Sequence, residues 1–207
     1  MSMKMIRWIS NCARPAFAKL SLALIGREEH ARRIGVRIGT GCRISTTSWG
    51  SEPYLIEIGN NVHVTSGVSF VTHDGGVWAF RRAIPDFDVF GSIAIGDDCY
   101  IGNNAIILPG IRIGRACIVG ANSVVTKSIP SGVVVAGNPA RFICHSIDYL
   151  QRMSERNFGT HRMRPDRKRA EILRLLASRG IEKPELVSVP ERKSESPRDS
   201  ETRLRDS

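Results

Sequence analysis

No apolar run in the chain approaches the ~20 residues that a membrane-spanning helix needs, so the sequence reads as that of a soluble protein. A secretory signal is not expected either. The apolar stretch from Ala16 to Gly26 is broken by Lys19, and no small-residue cleavage site follows it. Cysteine is scarce and odd in number, and none of Cys12, Cys42, Cys99, Cys117 and Cys144 shows the paired spacing of a metal site. Reduced, structural thiols in a cytoplasm are the expectation. Although the formal net charge is +10, no nucleic-acid reading motif or stacking platform accompanies it.

Charge is unevenly placed. Residues 34–145 hold 8 Lys/Arg against 7 Asp/Glu, so nearly all of the excess lies on the two flanks. Residues 1–33 mix Lys4, Arg7 and Arg14 with apolar side chains and are expected to be helical. The region 146–182 also reads as helical. Within it residues 161–179 form a basic helix, with Ile172, Leu173, Leu175 and Leu176 as a narrow apolar stripe. Residues 183–207, dominated by Pro, Ser, Glu and Arg, read as a disordered tail. A solvated face is the ordinary meaning of such basic runs. The alternative is a peripheral contact of a cytoplasmic protein with the anionic inner membrane surface through Arg162, Arg164, Arg167, Lys168 and Arg169, with Lys4, Arg7 and Arg14.

The middle of the chain carries the strongest signal. Ile95, Ile101, Ile107, Ile113, Val119 and Val125 recur at a strict step of six, and Cys99, Ala105, Ile111, Cys117, Ser123 and Ile129 stand four places after each opener. Helices repeat at three and four residues and strands at two, so a period of six belongs to a β-solenoid. Three short strands close one triangular coil, with the openers stacked inside. A weaker version of the register runs through Ile38 and Ile44, then Ile58, Val64 and Phe70. It lapses twice. Trp49 to Leu55 reads as a small excursion, and residues 76–92 read as a loop thrown out of the prism, of the kind that often serves as a lid or binding loop.

From Ile95 to Ile143 the sequence IGDDCYIGNNAIILPGIRIGRACIVGANSVVTKSIPSGVVVAGNPARFI resembles the closing coils of the hexapeptide-repeat acyltransferases. That family includes galactoside, maltose, antibiotic and capsular-sugar acetyltransferases. The resemblance reaches back to Ile34, and THDGG followed by WAFRR is most similar to polysaccharide-modifying O-acetyltransferases. It implies an all-β fold, a left-handed parallel β-helix over residues 34–145, assembled as a homotrimer. It also implies acetyl-coenzyme A bound between neighbouring prisms, with a sugar or glycan as acceptor and no metal.

The resemblance also assigns residues. His73, where the coil stops and the loop begins, matches the family's catalytic histidine, and an imidazole suits removal of a hydroxyl proton. Asp74 either holds that ring or bonds the turn backbone. Asn103, Ala121, Thr126, Lys127 and Arg141 match positions that contact coenzyme A, with backbone N–H groups near Asn103 facing the developing oxyanion. Small residues such as Ala121 also suit tight coil corners for structural reasons alone. Trp78, Phe80, Arg81 and Arg82 either line an acceptor cleft or pack the loop, and Glu52 and Tyr54 on the smaller lapse are further acceptor candidates. A zinc site like that of the γ-class carbonic anhydrases, built on the same coil, needs three histidines, and only His63 and His73 fall within the coils. Two other readings stay open: an antibiotic O-acetyltransferase, and a non-catalytic scaffold that kept the prism.

Overall fold

A computed structural model describes residues 25–183. It divides into two compact units that meet at Ser154 and Glu155. The expectations for residues 1–24 and for the tail from 184 onward lie outside the described residues.

Among the described residues, the first helix of the first unit is α1 (Arg27–Arg33). Thirteen short strands follow: β1 (Arg37–Ile38), β2 (Arg43–Ile44), β3 (Ile56–Ile58), β4 (His63–Val64), β5 (Ser69–Phe70), β6 (Ile93–Ile95), β7 (Tyr100–Ile101), β8 (Ile106–Ile107), β9 (Arg112–Ile113), β10 (Ile118–Val119), β11 (Val124–Val125), β12 (Val133–Ala136) and β13 (Arg141–His145). They fall into three sheets. The first holds β1, β3, β6 and β9, the second β2, β4, β7, β10, β12 and β13, and the third β5, β8 and β11. Up to β11 the chain passes from sheet to sheet in rotation, and each strand pairs in parallel with its counterpart one circuit away. Only β13 turns back, antiparallel to β12.

The six-residue period has a direct physical cause in this geometry. Two residues make a strand and the rest turn the corner, so every side chain six places on meets the same inner surface. All six openers from Ile95 to Val125 are buried, and so are the six residues four places after them. Ser123 is the polar member of that second set, and its Oγ accepts a hydrogen bond from the Gly137 N–H at 3.1 Å. Cys99 and Cys117 sit on successive rungs, their thiols donating to the Gly114 and Pro130 carbonyls at 3.0 and 3.1 Å. The neighbouring Cys117 thiol, reinforced by burial, pushes the Cys99 thiol up from its ordinary value.

Two readings of the sequence need correction. Trp49 does not open an excursion: it is 2% exposed and stacks on Phe70, ring centres 5.0 Å apart and planes within 5°. A bridge between Ser48 and Ser69 puts it in the opener's place on the third face of the first coil, one residue early. The larger loop also starts sooner than residue 76. Thr72 to Asp74 pair with Val89 to Gly91 across an antiparallel neck, through Asp74 N–H to Val89 O and Gly91 N–H to Thr72 O, both 2.9 Å. A 3-10 helix then runs from Gly75 to Phe80.

Helix α2 (Ser146–Ser154) closes the first unit, and the second contains α3 (Pro165–Arg179). The basic helix thus begins four residues later than residue 161. Proline fits a first helical turn because the missing N–H has no partner there, and it holds Arg164 before it in extended backbone.

Candidate active site

Both lapses in the register fall at one corner. The chain leaves the third face after Trp49 in the first coil and after Phe70 in the second. In each case it returns to the first face only at β3 and β6. Stacking of coils therefore sets the small detour of residues 50–55 beside the neck of the large one. Leu108 to Gly110 and Thr126 occupy the same corner in the next two coils. A cavity of about 490 Å³ opens there, lined by Val71, His73, Asp74, Phe90, Leu108 and Thr126 among others.

His73 is the one histidine in its lining. Its Nδ1 lies 3.2 Å from Glu52 Oε2, and that same oxygen accepts the Thr72 hydroxyl at 2.6 Å. A carboxylate opposite Nδ1 favours the tautomer with the proton on Nδ1, which leaves the Nε2 lone pair as the acceptor. The Glu52 side chain is 15% exposed and the His73 side chain 40%, so the carboxylate is anchored within the corner while the ring reaches solvent. Phe90 stands edge-on to the ring at 6.4 Å.

Asp74 has a different task. Its Oδ1 accepts the Gly76 N–H at 2.9 Å and caps the 3-10 helix, so the ring-holding place belongs to Glu52. Nothing in the local sequence pairs Glu52 with His73. Counting coils would have done so, because both residues follow the third opener of successive coils.

The other candidates are dispersed. Thr126 shares the His73 cavity, whereas Lys127 and Arg141 line a separate one of about 300 Å³ with Ile129, Val135 and Phe142. Asn103 and Ala121 lie exposed at the corner between the second and third faces, where the Asn122 N–H donates to Asn103 O at 2.8 Å. One protomer does not bring them to His73. Trp78 is 73% exposed and carries the Arg81 guanidinium 5.3 Å above its ring, while Arg81 also pairs with Asp88. Both residues close the loop on itself, outside the lining of the His73 cavity. Tyr54 is exposed on the 3-10 turn Pro53–Leu55. His63 lies on the second face beside Tyr100, away from the His73 corner.

Comparison with known proteins agrees with the repeat. Residues 92–127 match the model of the bacterial transferase hexapeptide family, six repeats. Protein CapG of Staphylococcus aureus is 48% identical over 161 residues, spanning 75% of this chain and 94% of the relative. A chloramphenicol acetyltransferase of Klebsiella aerogenes is 35% identical over 91 residues, 42% of this chain and 43% of its own. Among solved structures, a hexapeptide-repeat acetyltransferase of Vibrio cholerae complexed with acetyl coenzyme A superposes with a TM-score of 0.50. It is 24% identical, covering 70% of this chain and 90% of that one. The chain belongs to the bacterial hexapeptide-repeat transferases, and relatives that share the repeat include acetyltransferases.

Proposed function

We propose that the protein moves an acetyl group from acetyl-coenzyme A to a sugar hydroxyl, with His73 as general base. We also propose that it works as a homotrimer of left-handed coils. The observation that carries this reading is the His73 ring, held through Nδ1 by Glu52 and lining a cavity at the coil edge. The acceptor hydroxyl gives its proton to His73 Nε2 as its oxygen bonds to the acetyl carbon. The carbon–sulfur bond breaks, and the departing thiolate takes the proton from the imidazolium. Glu52 keeps the ring oriented and balances its positive charge while it holds that proton. The donor supplies the thioester.

The residues fit such a donor. Lys127 and Arg141 share one cavity and, among the described residues, neither makes an ion pair, so both are available to phosphates. Asn103 and Ala121 occupy a corner that His73 does not. Two copies set edge to edge would unite the two corners around one thioester, and this supports the trimer. The sugar acceptor rests on the THDGG and WAFRR segments. The 35% identity to a chloramphenicol acetyltransferase favours a drug acceptor as the second reading.

Thiol release in the presence of a panel of sugars and of antibiotic alcohols tests both. His73→Ala is expected to lower kcat by about 10²- to 10⁴-fold with the productive acceptor, with donor affinity retained. Turnover close to the parent's in a correctly assembled variant would remove His73 as the base.

A further inference from the structure

We propose that α3 and its flanks form a docking surface for an anionic phospholipid membrane. The second unit is strongly basic: its described part, residues 155–183, contains nine Lys/Arg against four Asp/Glu. Its acidic groups are partly spent. Glu171 binds Arg174 at 2.6 Å, and Asp166 lies 3.8 Å from Arg164. Among the described residues Arg162, Arg167, Lys168 and Arg169 make no ion pair.

The placement of these charges along the helix is informative. At ~100° per residue, Lys168, Ile172 and Leu176 form one column. Arg169 with Leu173 runs along one side of it, and Leu175 with Arg179 along the other. The Glu171–Arg174 pair points elsewhere. Lys168 and Arg169, two of the cations without a carboxylate, therefore share the leucine side of the helix, where Leu173 is 62% and Leu176 52% exposed, while Arg167 lies on the side of the Glu171–Arg174 pair. Exposed leucines beside cations cost hydrophobic free energy in water. At a bilayer surface the leucines enter the acyl boundary while the long basic side chains reach up to the phosphates.

A duplex nucleic acid offers phosphates but no apolar phase for Leu173 and Leu176, and α3 contains no aromatic residue to stack on bases. The helix is too short and too polar to cross a membrane, as are all helices among the described residues. It would lie in the interface plane. Met163 and Ile181, 41% and 62% exposed near its two ends, extend the apolar contact.

The test is flotation of the full chain with vesicles of phosphatidylcholine and phosphatidylglycerol, beside vesicles of phosphatidylcholine alone. Recovery only with the anionic vesicles, falling as salt is added, is the expected result. Lys168→Glu with Arg169→Glu should weaken recovery by about tenfold or more, and Leu173→Ser with Leu176→Ser by a similar factor. Circular dichroism and the melting temperature verify that these surface variants fold. Failure to float with anionic vesicles at low ionic strength overturns the proposal, and that arm needs no variant. Loss in the charge variant alone, with displacement by a short DNA duplex, also overturns it by showing a surface that binds any polyanion.

Discussion

Glu52 and His73 are 21 residues apart in sequence and 3.2 Å apart in space, joined by a carboxylate oxygen that the Thr72 hydroxyl also holds. The contact exists because two successive coils each lose register at the same corner. Glu52 is accordingly expected to act through the ring. Glu52→Ala should lower kcat by about 10²-fold and leave the KM for acetyl-coenzyme A nearly unchanged. Glu52→Gln, which keeps an acceptor but not the charge, should fall between it and the parent. Steady-state kinetics with the donor varied separates this from an acceptor-binding role, which would raise the acceptor KM instead.

Trp49 ties that corner to the core. It is the inner residue of the third face in the first coil and lies flat against Phe70, itself 2% exposed. Removing so large a buried ring leaves a cavity that the short strands fill poorly. Trp49→Ala should therefore destabilise the fold by ~3–5 kcal/mol, read from denaturant unfolding. Glu52 follows three residues later, so kcat is expected to fall as well. A variant that lost stability but kept full turnover would uncouple the two.

The coil was readable from sequence wherever its side chains repeat. Ile95 to Val125 announce themselves because nothing interrupts the six-residue step, and the buried sites four places after each opener follow from it. Trp49 escapes the pattern because it arrives five residues after Ile44 rather than six, and a large aromatic in a polar neighbourhood reads as surface. His73 was visible through its position at a coil exit, whereas its partner was not. Pairing between detours depends on which corner each occupies, and the repeat carries no mark of the corner once its register lapses. The division of Asn103 and Ala121 from Thr126 was hidden for a related reason, since neighbours in one dimension can face different sides of a three-sided prism.

His63 gives the stability a pH dependence of known sign. Burial, reinforced by the nearby Arg43 guanidinium, holds its pKa below the usual 6.5, so the folded chain favours the neutral ring beside Tyr100. The unfolded chain binds the proton more readily. The contribution is fully present above the unfolded value and is lost as pH falls through the depressed folded one. Melting temperature should thus decline on acidification through and below the ordinary imidazole range, and His63→Gln should show a shallower decline. An unchanged slope in that variant would assign the effect to other groups.

Gly50 is the residue whose replacement most directly tests the buttress behind the proposed base. Its φ is +70°, and a Cβ there would stand 2.7 Å from Thr72 Oγ1 and 2.9 Å from Phe70 O. Left-handed backbone alone costs a residue with a side chain ~1–2 kcal/mol, and the added methyl must also displace the hydroxyl that anchors Glu52. Gly41 provides the control. Its φ of +69° is nearly the same, but its nearest neighbouring atoms lie 3.9 Å away on Asn61. Gly41→Ala is expected to lower the melting temperature and leave kcat intact. Gly50→Ala is expected to lower both, kcat by about tenfold or more, because a base misplaced by a fraction of an ångström loses its reach to the acceptor proton. If the two variants lost the same stability and both kept their turnover, the Thr72–Glu52–His73 chain would be scaffolding without a part in positioning the ring.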